Sequence, residues 1–314
     1  MGCGLDRYAV FFSLLRKALV PEGDMPDVSG ADWEFIFSTA GRHFVRALLY
    51  DAVKVLPPGS GISPVLAAGW LVSAKEAENS YKKISGVVDF QRGIWSSKGI
   101  DAVLLKGLCC SRFYPVPEHR TSGDIDWWMR GRADWDAALE WLTEEGLRWE
   151  TDSDGDISYA YAGMVVEHHR KGLSGDGPEA ELLFLADHVF HHAAVSGVGL
   201  RQVCDYAMAR RYHGDIPLSG GGGWVRLLDA VAAIIMDPGV SLPSGLRRRA
   251  ESFLALVMED GNFGLDRKNR FGQFFRRAAV VGVTAPGKFI ARWLGLGVGR
   301  MKRILYFCKF QYRY

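Results

Sequence analysis

Apolar positions recur along this chain with two different periods, and the change from one to the other lays out its organisation. From Leu5 to Val20, the residues Tyr8, Phe11, Phe12, Leu15 and Leu19 recur at helical spacing and stop before Pro21. Ser29 has the chemistry of an N-cap and predicts a helix to about Val55, with Trp33, Phe37, Phe44, Val45 and Leu48 on its apolar side. The run Pro57-Pro58-Gly59-Ser60-Gly61 interrupts the pattern. A longer amphipathic helix is then predicted from about Pro64 to Ser97, its stripe passing through Leu71, Ala74, Tyr81, Ile84, Val88 and Phe90.

The period then shortens. Asp101 to Leu105 (DAVLL) is a short apolar run of strand type, ended by Lys106-Gly107. Leu108, Cys109 and Phe113 predict about two turns of helix, which Pro115 and Pro117 break. A strand returns at Gly123–Trp127, followed by a helix over Arg132–Glu145 and a strand over Leu147–Glu150. The acidic run Asp152–Asp156 resembles half of a calcium loop but lacks the distal Glu, so a hairpin turn is predicted there. Strands at Ile157–Tyr161 and Met164–His169 complete the hairpin. From Glu179 onward the period is helical again, over 180–194, from Leu200, over 224–236 and over 246–258.

These elements predict an α/β (α+β) fold with a small mixed sheet. An N-terminal helical region (1–98) and a C-terminal helical domain (176–262) flank a core at 99–175, and a basic amphipathic tail follows at 263–314. With 48% apolar and 24% charged residues, the composition is that of an ordinary globular protein. Charge changes the picture more. Residues 267–314 carry twelve Lys or Arg and no Asp or Glu, leaving 26 basic against 36 acidic residues in 1–266, a balance of −10. The tail's Phe289, Ile290, Trp293, Leu294, Leu296, Ile304, Leu305, Tyr306 and Phe307 interleave with those cations. That mixture suits an anionic membrane surface, or docking on the acidic body, better than nucleic acid. Five cysteines without a framework, no signal-like N-terminus and no run of eighteen apolar residues predict a cytoplasmic protein, with the tail offering a peripheral seat on the inner membrane face.

Candidate chemistry concentrates in Lys106–Trp128. Strand alternation puts Asp124 and Asp126 on one face and Ile125 and Trp127 on the other. Two carboxylates one strand repeat apart repel unless a cation sits between them, and a hard oxygen-seeking ion such as Mg²⁺ suits that place. In Met164–His169, Val165, Glu167 and His169 share one face, and a Glu within an apolar strand is costly to bury without a partner.

Strand, Gly turn, short helix and Asp-x-Asp strand, here LLKG, YP, R and GDIDWW, resemble the nucleotidyltransferase superfamily of the DNA polymerase beta type. More narrowly, they are similar to an uncharacterised bacterial nucleotidyltransferase family found beside cell-surface polysaccharide genes. The resemblance spans roughly residues 30–235. It implies transfer of an NMP from an NTP to an acceptor hydroxyl with Mg²⁺ (or Mn²⁺), with Asp124, Asp126 and Glu167 as metal-binding and catalytic carboxylates. It also implies Lys106, Gly107 and Arg120 at the triphosphate. Where the superfamily has Gly-Ser or Gly-Gly, this chain has Gly107-Leu108, so a phosphate hydroxyl is either absent or supplied by Ser111. His-rich text followed by Gly199-Leu200-Arg201 and Asp205 also fits, leaving Arg201 and Asp205 either as a salt bridge or at the nucleotide cleft. The alternative function is a catalytically silent nucleotide-binding or scaffold protein. Two other patterns carry less: His188, His191 and His192 with Cys204 lack the carboxylate spacing of a zinc site, and Gly282–Lys288 has Phe289 where a phosphate loop needs Ser or Thr.

Overall fold

The structure is a computed structural model that describes residues 4–152, 154–220, 222–261 and 276–289. The first helix, α1 (Ala9–Leu19), follows a short 3₁₀ turn at Asp6–Tyr8 and buries Phe11, Leu14, Leu15 and Leu19. The helix expected from Ser29 to Val55 is two helices, α2 (Trp33–Arg42) and α3 (Arg46–Val53). Its N-cap is Asp32, whose carboxylate accepts from the Phe35 N–H at 3.0 Å. The break falls at His43-Phe44-Val45, where Phe44 takes φ 56°.

The long helix α4 (Pro64–Lys98) matches its expected limits within one residue, because its ends are fixed by local chemistry. Ser63 Oγ accepts from Leu66 N, Pro64 occupies the first turn, and Gly99 stops the helix in the left-handed conformation at φ 68°. At 35 residues α4 runs about 50 Å and serves two cores. Leu66 and Trp70 pack among the terminal helices, whereas Ile84, Val88 and Trp95 pack beneath the sheet.

The sheet holds β1 (Ala102–Leu104), β2 (Asp124–Met129), β3 (Trp149–Thr151), β4 (Ile157–Tyr161) and β5 (Met164–His169) in the order β1-β2-β5-β4-β3. Only the central pair, β2 and β5, is parallel, with Asp124 opposite Val165 and Asp126 opposite Glu167. Between β1 and β2 the chain forms a single helical turn, α5 (Leu108–Ser111), shorter than the two turns expected. Helix α6 (Arg132–Glu144) joins α4 on the sheet's apolar face, where Ile125, Trp127 and Val166 are buried. The acidic run at 152–156 is the predicted turn: Asp152 accepts from the N–H groups of Asp154 and Asp156.

Helices α7 (Pro178–Val195), α8 (Leu200–His213), α9 (Gly222–Met236) and α10 (Ser244–Asp260) follow. They share one continuous apolar cluster with α1, α2 and α3, and Arg16 of α1 donates to the Ile235 carbonyl of α9 at 3.1 Å. The N-terminal and C-terminal helical regions therefore share one packing unit, distinct from the apolar cluster beneath the sheet. Of the basic tail, residues 276–289 lie on this unit: Arg277 pairs with Asp260 at 2.9 Å, Lys288 with Asp187 at 2.9 Å, and Val281 and Phe289 are buried. Lys288, in the stretch that mimics a phosphate loop, is thereby committed to an acid of the body. The rest of the tail proposed for a membrane surface, 267–275 and 290–314, lies outside the described residues. Among the described residues no helix is long and apolar enough to cross a membrane.

Candidate active site

The polar face of the sheet is built by the alternation read in the sequence. Asp124 and Asp126 project from β2, and Glu167 and His169 from β5, because residues two apart share a face and parallel neighbours in register sit side by side. Asp126 is fully buried, while the Asp124 side chain is 40% exposed. The depth difference divides their surroundings.

Lys106, at the end of β1, donates to Asp126 Oδ1 at 2.6 Å and lies 3.8 Å from Asp124. His169 Nε2 donates to the same Oδ1 at 2.9 Å and lies 3.5 Å from Glu167, while its Nδ1 donates to Asp156 at 2.9 Å. Burial penalises charge on His169, but bonds to Asp126 and Asp156 outweigh it and push the imidazole up to about 9. The same opposition leaves Lys106 firmly charged: burial disfavours the ammonium, and Asp126, Asp124 and Glu167 together hold it protonated. Asp126 is disfavoured as an anion by burial, yet Lys106 and His169 keep it ionised. For Glu167 the same cations do not suffice. Burial first, then the Asp126 charge, push its carboxyl up to about 7.

One valence is left open. Asp126 Oδ2 is buried without a hydrogen-bond partner, an expensive condition for a carboxylate oxygen. The turn beside it has φ 63° and ψ −116° at Gly107, and a side chain there would come within 3.2 Å of the Asp124 carbonyl and 3.9 Å of Asp126 Oδ2. Gly107 thus keeps open the space next to the orphaned oxygen. Asp126, Glu167 and His169 carry ligand-type atoms that all lie within 4.8 Å of one another, a possible metal-binding group among the described residues in which the carboxylates are the free donors while His169 holds Asp126. The donor set fits a divalent cation: an open carboxylate oxygen, a second carboxylate, Asp124 on the same face, and His169 to orient Asp126.

The remaining expected residues divide. Arg120 does not reach towards this space. It is 6% exposed, forks onto Asp205 of α8, with Nε to Oδ1 at 2.9 Å, and gives Nη1 to Ser122 Oγ at 2.8 Å and the Thr121 carbonyl at 3.0 Å. Its donors are spent on bolting the loop before β2 to α8, so the triphosphate contact expected of it is replaced by a structural one. Ser111 Oγ donates to the Leu108 carbonyl of its own turn at 2.5 Å, and so is also turned away from a phosphate role. Arg201 is not the partner of Asp205. It donates Nη1 to the Thr121 carbonyl at 2.8 Å, and its buried Nε has no acceptor. Burial and then the neighbouring Arg120 lower its pKa, against the favourable charges of Asp205 and Asp124. His188 and His192 stack edge to face at 4.5 Å on α7. Burial, then the charges of His191, Lys106 and Arg201, push His192 down to about 3. The metal-ligating group found among the described residues does not include these histidines.

His169 was not singled out as a functional residue by sequence reasoning, although its position two after Glu167 on the same strand face carried the signal. Asp156, in a turn, carried none.

The family described as an uncharacterised nucleotidyltransferase matches residues 29–181, just under half of the chain and the whole of the sheet. No curated protein and no solved structure matches. The family match supports nucleotidyl transfer as a general function, and the mixed five-stranded sheet flanked by helices is consistent with a nucleotidyltransferase-type α+β fold.

Proposed function

We propose that this protein transfers an NMP from an NTP to an acceptor hydroxyl in a reaction that depends on Mg²⁺ or Mn²⁺. The observation that carries the reading is the open oxygen of Asp126 beside Glu167 and Asp124, on the sheet face that Gly107 leaves accessible. Asp124, Asp126 and Glu167 would hold the cation, which when bound would screen the triphosphate and lower the cost of charge on the attacking oxygen. The acceptor oxygen bonds to the α-phosphorus, the bond to the bridging oxygen breaks, and pyrophosphate leaves.

Each residue has a part suited to its surroundings. Lys106, held charged between Asp126 and Asp124, supplies the positive charge that a pyrophosphate leaving group needs. Gly107 lets the backbone approach the phosphates. Glu167, beside Asp126 on the same face, is the carboxylate placed to take the proton from the acceptor hydroxyl. His169 keeps Asp126 in place through a relay to Asp156. The resemblance to families beside polysaccharide genes suggests a sugar or lipid-linked acceptor, reached with the basic tail at an anionic membrane.

The test is thermal shift of the full-length protein with each of four NTPs, with and without Mg²⁺ or Mn²⁺, repeated on Glu167→Gln together with single-turnover transfer. NTPs should raise Tm only with the cation, and Glu167→Gln should lower the transfer rate by at least about two orders of magnitude. Metal-dependent NTP binding with no turnover against any hydroxyl acceptor would instead support a silent nucleotide-binding protein.

A further inference from the structure

Phe44 sits where neither packing nor backbone preference explains a phenylalanine. Helix α2 ends in a Schellman motif: the Val45 N–H donates to the Ala40 carbonyl at 2.9 Å and the Phe44 N–H to the Gly41 carbonyl at 3.1 Å. The residue between them must be left-handed, which is why glycine usually holds it, yet here it is Phe44 with φ 56°. Among the described residues the one other non-glycine with positive φ is Ala162, in the tight turn between β4 and β5. Phe44 also leaves 38% of its surface in solvent, so core burial does not compensate the strained backbone.

Its neighbours give the ring a direction. The Leu200 N–H at the start of α8 donates to His43 Nδ1 at 3.2 Å, fastening this turn to α8. Arg201 follows, with its guanidinium carbon 5.5 Å from the centre of the Phe44 ring. Arg201 in turn donates to the Thr121 carbonyl, three residues before Asp124, and keeps a buried, unpartnered Nε. Contacts thus run in sequence from an exposed aromatic ring through a guanidinium with an unused donor to the loop that leads into Asp124, whose charge acts on that guanidinium.

On the nucleotidyl-transfer reading above, we infer that Phe44 is the platform on which the base of the NTP stacks, with Arg201 between that base and the metal-binding face contacting the sugar–phosphate. A ring at this place binds any base by its π-face and selects little between them, whereas the guanidinium supplies charge. No base-specific hydrogen-bond donor enters the assignment, so broad base tolerance follows from it.

The test measures binding by calorimetry of ATP, GTP, CTP and UTP, and of inorganic tripolyphosphate, each with Mg²⁺, to the full-length protein and to Phe44→Gly and Phe44→Trp. Glycine relieves the left-handed strain, so Tm should hold or rise while affinity for the bound NTPs drops about tenfold, in the range of one lost stacking contact. Tripolyphosphate, which has no base, should bind wild type and Phe44→Gly alike, and Phe44→Trp should restore NTP affinity. Equal NTP affinity in wild type and Phe44→Gly overturns the platform while leaving nucleotidyl transfer standing. An equal loss for tripolyphosphate assigns Phe44 to shaping the site and overturns it too. If wild type binds none of the four NTPs, the nucleotidyl reading itself fails.

Discussion

Two buried aspartates, Asp126 and Asp205, look alike in the sequence and have opposite fates in the fold. Asp205 uses both oxygens: Arg120 forks onto the pair, and Tyr114 donates to Oδ1 at 2.8 Å. Asp126 gathers Lys106 and His169 on one oxygen and leaves the other unpaired, with two further carboxylates on its face. A buried ion pair in which each carboxylate oxygen has found a donor is a fastener. An unsaturated one keeps a binding valence at the expense of stability. The contrast separates the part of this molecule that holds the loop before β2 in place from the part that acts.

The largest effect that sharpens the contrast is on turnover. Asp126→Asn should lower transfer by at least about 10³-fold, since it removes a metal-binding oxygen at the reacting face. It should also destabilise the protein by roughly 3 kcal/mol, because Lys106 and His169 lose a buried counter-charge. Relief of carboxylate repulsion, the simple expectation for an Asp-x-Asp strand, applies to neither carboxylate, since Lys106 already lies between them. Asp124→Asn, at the exposed end, should lose transfer with stability unchanged within about 0.5 kcal/mol. Asp205→Asn should cost roughly 3–5 kcal/mol in urea unfolding, with turnover per folded molecule within about tenfold of wild type. If folded Asp205→Asn is as inactive as Asp126→Asn, the division between fastener and site collapses.

A smaller effect comes from a buried group with no counter-charge at all. Burial, helped by the Arg42 charge, pushes His43 down to about 4, so it is neutral in the folded protein at pH 7 and accepts from Leu200 N. In the unfolded chain its pKa returns to about 6.5. Between those values the unfolded state binds a proton that the folded state refuses, so stability falls as pH drops from about 6.5 towards 4. From pH 7 to pH 5 the His43 contribution is about 2 kcal/mol. Urea midpoints at both pH values should show that much less acid sensitivity in His43→Gln than in wild type. An unchanged pH dependence would mean that His43 is not held neutral by its burial.

The positions of the strands along the chain, the sharing of faces within each strand and the three carboxylates were legible because period-two alternation is a local signal that tertiary packing has no need to override. Which strands pair, including the parallel β2–β5 pair, was not legible. Helix α4 was legible because both of its ends carry their own stop signals. The split between α2 and α3 was not, since a left-handed phenylalanine has no signature in sequence and Phe44 sits at helical spacing with its neighbours. Nor was the destination of Arg120. Its partner Asp205 lies 85 positions away, and a cation just upstream of an Asp-x-Asp strand reads equally well as a phosphate ligand. Long-range polar pairing leaves no periodicity, so the residues around the site were found while some of their tasks were exchanged.

Ser111 gives the smallest and most discriminating prediction on this point. A Gly-Leu turn lacks the hydroxyl that a Gly-Ser turn offers to phosphate, and Ser111, four residues beyond Gly107, stood as its replacement. In the fold Ser111 is 2% exposed, and its hydroxyl closes onto the Leu108 carbonyl within α5. A hydroxyl that donates inside its own turn has no proton left for a phosphate oxygen, and a side chain so buried would have to unwind the turn to reach one. Charge from Lys106 and the open backbone at Gly107 then carry phosphate binding. Ser111→Ala should therefore lower stability by about 1 kcal/mol, the net value of one local hydrogen bond, and change kcat/KM by less than about threefold. A loss of about thirtyfold or more in kcat/KM with Tm unchanged would return the hydroxyl to the phosphate and make α5 a turn that opens when substrate binds.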